Sequence, residues 1–108
     1  MADFHNPRMS PADQTAADME AAWEAYRLAA DECAEAENEY LGVFAKALLL
    51  SDAPVSIRQK LAEAEAVEER KVWNIKKAAQ KSALLKFEEV KSRNMTALSN
   101  QRMVRDQT

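Results

Sequence analysis

The chain has 108 residues, 47% hydrophobic and 31% charged, with one Gly, three Pro and a formal net charge of -3. That length suits a single domain, and so few turn formers, in a background rich in Ala, Glu, Lys, Leu and Arg, exclude a compact sheet fold. One cysteine, Cys33, excludes an intrachain disulfide and points to a reducing compartment, the cytoplasm.

In chain order, residues 1–9 show no apolar periodicity and read as a flexible leader, with residues 10–108 as one helical-hairpin domain. Ser10-Pro11-Ala12-Asp13 has the form of a helix start, with Ser10 as N-cap, Pro11 at the first helical position and an acid three residues after the cap. Met19, Trp23, Tyr26, Ala30, Cys33, Glu37, Tyr40, Phe44 and Ala47 then recur at steps of four and three, a heptad-like seam on a helix over about 11–50. Asp13, Glu20, Glu24, Asp31, Glu35 and Glu39 project from the opposite face. The most apolar window, Leu41 to Leu50, is about half the length that a bilayer crossing needs, so no membrane partner is expected.

The pattern stops at Ser51-Asp52-Ala53-Pro54-Val55, where Pro54 disfavours helical geometry at Ala53. Ser56 with Gln59 repeats the capping-box logic and opens a second helix over about 57–100, followed by a frayed C-terminal tail. Its expected inward set is Ile57, Leu61, Ala64, Val72, Ile75, Ala79, Ala83 and Val90, flanked by Phe87, with a spacing that drifts toward about 3.7. Folding at about residue 53 sets Phe44 opposite Leu61, Tyr40 near Ala64 and Val67, Cys33 near Val72, and Trp23 near Ala83 and Phe87. The expected fold is therefore all-α: an antiparallel, coiled-coil-like two-helix hairpin. Because 21 residues are alanines, which bury little area each, the core is thin, and a dimer or larger homo-oligomeric bundle is expected to supply the missing burial.

No catalytic set is legible, and a non-enzyme without cofactor, metal or small-molecule substrate is expected. His5 is the only histidine and falls in the leader; Cys33 falls on the seam as a small buried hydrophobe. Glu32, Glu35 and Glu39 are close on one helix but face outward and lack the histidines of a di-metal bundle site.

Charge is the stronger signal. Residues 1–53 carry 11 acids and 3 bases, whereas residues 54–108 carry 7 acids and 12 bases. Helical spacing sets Arg70, Trp73, Lys77, Lys81 and Leu84 on one stripe of the second helix, expected to face away from the hairpin seam. An indole among cations suits nucleic acid, single-stranded above all, with the cations neutralising phosphates and the ring offering a stacking face. Lys91, Arg102 and Arg105 extend that basic set. Two other uses of the same surfaces compete with it: Trp73 and Leu84 as a second apolar stripe buried between copies, and the acidic face of Glu20, Glu24, Asp31 and Glu35 as the docking surface for a partner protein, including a DNA-mimicking inhibitor.

The run Ala66-Val-Glu-Glu-Arg-Lys-Val-Trp-Asn-Ile-Lys-Lys-Ala-Ala79 and the later Asn100-Gln-Arg102 resemble small helical accessory proteins encoded in phage recombination and replication gene clusters. The resemblance covers the C-terminal helix. It implies a non-enzymatic role in the host cytoplasm beside a single-strand annealing or replication protein.

Overall fold

The computed structural model describes residues 11–106, with side chains over 13–96 and at Ser99 and Asn100. The leader with His5, the Ser10 cap and the side chains of Leu98, Arg102 and Arg105 lie outside the described residues. Among these residues there are three helices and no strand: α1 over Pro11–Leu50, α2 over Val55–Glu65 and α3 over Val67–Asp106. The chain is thus all-α, as its composition and periodicity predict. It divides into two compact units, one made of α1 up to Tyr26 with α3 from Ala83, the other of Arg27–Ser82.

The expected second helix is two helices. Its start is also different, because Pro54 rather than Ser56 is the N-cap of α2 and no side chain caps it. The Pro54 carbonyl accepts the N–H groups of Ile57 and Arg58, at 3.1 Å each. The connection is instead braced from outside: the Arg58 guanidinium donates to the Ala53 carbonyl at 3.2 and 3.0 Å, and the Ala53 N–H donates to Ser51 Oγ at 3.2 Å. The break between α2 and α3 is one residue wide, at Ala66, with φ -99° and ψ 16°. The Ala66 N–H still reaches the Ala62 carbonyl at 3.1 Å and its own carbonyl accepts from Arg70 N–H at 3.0 Å, so hydrogen bonding bridges the kink. Ala62 and Ala66 are 1% and 0% exposed. Arg58, Ala62 and Ala66 cover successive steps of four, after which the covered series advances by three to Glu69.

Burial also corrects which face of α2 and of the first part of α3 points inward. In the 27–82 unit the buried and half-buried residues include Ala29, Ala30, Cys33, Ala36, Glu37, Tyr40, Val43, Phe44, Ala47 and Leu48 from α1, against Ala62, Ala66, Glu69, Trp73, Lys76 and Gln80. In the other unit they are Thr15, Met19, Ala22 and Tyr26, against Ala83, Phe87, Val90 and Asn94. From Ala62 to Asn94 the covered positions keep a strict alternation of four and three rather than a drifting spacing. Ile57, Leu61, Ala64, Val72, Ile75 and Ala79, expected inside, are all exposed. The physical reason is the payload of the aromatics: Trp73 and Phe87 lie fourteen residues apart in one heptad phase, and each ring covers more apolar area than Val72 or Ile75. Trp23, also expected on the seam, is 46% exposed, with Ala22 covered in its stead.

Candidate functional site: the basic segment of α3

The cations that sequence periodicity singles out divide between the units. Arg70, Lys77 and Lys81 lie in the 27–82 unit, all exposed, whereas exposed Lys91 and half-hidden Leu84 (37% exposed) belong to the other. On α3 the three cations fall within about 40° of one another and span about 16 Å along the axis, by the pitch and rise of an α-helix. Arg70 and Lys81 make no ion pair with any described residue. Lys71 does, with Glu68 at 3.4 Å, and Lys76 is drawn to Glu32 of α1 at 3.2 Å.

Trp73 does not stand on that outward stripe. It is half-buried and stacks on Tyr40 of α1, with ring centroids 5.3 Å apart and planes 24° from parallel. Tyr40 in turn stacks on Phe44 at 5.9 Å and 29°. Tyr40 therefore meets Trp73, not Ala64 and Val67, and large side chains face each other where large against small was expected. Lys77 Nζ stands 3.9 Å from the Trp73 ring centroid, a cation–π contact one helical turn along. The indole thus holds Lys77 in place rather than offering a free face to a base. Sequence reasoning missed Tyr40 as the partner of Trp73; the signal lay in the shared heptad phase of Trp73 and Phe87.

The covered face of α3 here carries half-buried polar side chains. Trp73 Nε1 and Glu69 Oε2 are both buried without a hydrogen-bond partner, one turn apart on α3, and Lys76 and Gln80 continue the same face. Each orphaned group forgoes stabilisation of about 1–3 kcal/mol. Against known proteins, no family model, no curated protein and no solved structure matches the chain.

The acidic candidates Glu20, Glu24, Asp31 and Glu35 are exposed on α1, the first two in one unit and the last two in the other. Cys33, a free thiol, is 6% exposed. Among the described residues no three His, Cys, Asp or Glu side chains converge where a metal ion would sit, and no helix is long and apolar enough to cross a membrane.

Proposed function

We propose that the chain is a non-enzymatic accessory protein of nucleic-acid metabolism that acts in the cytoplasm as an antiparallel helical hairpin, self-associates, and contacts nucleic acid through the phosphates. Arg70, Lys77 and Lys81 make those contacts. The carrying observation is the strip itself: two of its three cations have no ionic partner among the described residues, and the third is held over the Trp73 ring at 3.9 Å. Positive charge in this arrangement is available to phosphates and releases counterions on binding. Support for the hairpin comes from contacts that join early residues to late ones inside each unit, Trp23 with Phe87 in one and Tyr40 with Trp73 in the other. The likeness of α3 to helical proteins of phage recombination clusters points the same way.

The role of Trp73 in this reading is positioning, and the test separates it from base stacking. A labelled single-stranded oligonucleotide is titrated at low and high salt; binding falls steeply with salt, and Lys77→Glu with Lys81→Glu removes it. Trp73→Phe, which keeps a ring under Lys77, retains most of the affinity. Salt-independent binding, or none at low salt, defeats the phosphate reading; loss in Trp73→Phe alone with its helicity intact restores the stacking one.

A protein partner is the second reading, favoured by large aliphatic side chains left outside in the same unit, Val72 at 45% and Ile75 at 67% exposed. It expects charge reversal at Asp31 and Glu35 to abolish partner capture while oligonucleotide affinity stays absent.

A further inference from the structure

The end of the 27–82 unit where α1 runs into α2 holds a groove of about 460 Å³ that the basic strip does not use. Val43, Ala47, Leu50 and Leu61 line it together with Lys46 from α1 and Glu65 from α2. The same helix ends leave Leu49 84%, Leu50 70%, Val55 79%, Ile57 45% and Leu61 50% exposed. Five large aliphatics so close in sequence, and so uncovered, mark a surface that buries against something apolar. Phosphates and sugars do not bury leucine, so nucleic acid is a poor occupant.

We infer that this groove is the seat of a second copy of the chain, docked about a two-fold axis. Charge decides the occupant. Lys46 and Glu65 carry opposite signs and line the groove from different helices, and neither makes an ion pair with a described residue. A two-fold contact pairs a patch with itself, so each element of the patch meets its complement only if the patch is self-complementary. This one is: Lys46 of one copy faces Glu65 of the other, twice, while the Leu50 and Leu61 side chains close over each other between them. An acidic or basic partner protein would satisfy one of these charges and oppose the other. The inference rests on the self-association proposed above and adds to it the face and the symmetry.

The test is sedimentation equilibrium of the full chain over a range of concentrations, without nucleic acid, with helicity followed by circular dichroism. The wild type forms a dimer. Leu50→Glu and Leu61→Glu each weaken it at least tenfold with helicity unchanged, since both side chains are half or more exposed. Lys46→Glu weakens it as well, and the double swap Lys46→Glu with Glu65→Lys restores it. A monomer at every concentration removes self-association altogether. A dimer indifferent to Leu50→Glu and Leu61→Glu keeps self-association but overturns this face, and a double swap that fails to restore the Lys46→Glu loss overturns the two-fold pairing.

Discussion

The two units are built from the same two long helices and each holds a ring contact across them, yet they differ in what else shares the covered face. In the unit that ends α1 at Tyr26, apolar rings meet directly: Trp23 contacts Phe87 at 5.4 Å and Tyr26 at 5.8 Å, Val90 is 4% exposed, and the Asn94 amide donates to the Met19 sulfur at 3.4 Å. In the 27–82 unit the fully covered positions are Cys33 and the small residues Ala36, Ala62 and Ala66, while Glu69, Lys76 and Gln80 share the interior face and the larger aliphatics stand outside. In that unit Leu49, Leu50, Val55, Ile57 and Leu61 stand outside while Glu69 and Lys76 are half-buried, so apolar area that could add stability is left uncovered. Both surfaces proposed here lie in that unit.

The contrast makes energetic predictions that differ between the units. The largest effect is expected from Phe87→Ala, which removes the ring that packs against Trp23; thermal or denaturant unfolding should show a loss of about 2–3 kcal/mol. A loss below about 1 kcal/mol would mean that the apolar unit is no better packed than the polar one. In the 27–82 unit the sign reverses. Glu69→Leu replaces a half-buried carboxylate whose Oε2 has no hydrogen bond, and should raise stability by about 1 kcal/mol. Destabilisation by the same substitution would show that Glu69 is satisfied in solution. The smallest effect is the Lys76 pair with Glu32, whose side chains are 37% and 47% exposed. Breaking it with Glu32→Gln should cost about 0.5 kcal/mol at low salt and nothing measurable at high salt.

The sequence made the helical class legible because heptad spacing in α1 and the scarcity of turn formers leave no other economical fold. Met19, Tyr26, Cys33, Tyr40 and Ala47 were readable as covered positions for the same reason. The exposure of Trp23 was not: Ala22 is covered in its place, whereas Ala30, Glu37 and Phe44, the other seam positions, are half-buried. Periodicity alone does not choose between neighbours one residue apart when the true seam position is a small alanine and its neighbour a large ring. The same ambiguity misled the reading of α3, where Val72 and Ile75 advertise an apolar stripe and Glu69 and Lys76 conceal the real one. The break at Ala66 has no residue signal at all, since alanine is the best helix former. At the candidate site, Arg70, Lys77 and Lys81 were placed outside by the sequence and are exposed, whereas the side of Trp73 depended on a register that only the stack with Tyr40 reveals.

The account turns on which tryptophan is inside, and the chain has only two. Acrylamide quenching of Trp23→Phe, which leaves Trp73 as the sole indole, and of Trp73→Phe, which leaves Trp23, measures this directly. The stack on Tyr40 predicts weak quenching for Trp73 and strong quenching for Trp23, which is 46% exposed. Strong quenching of Trp73 with Trp23 protected would contradict the stack of Trp73 on Tyr40 and return the indole to an outward, base-stacking face.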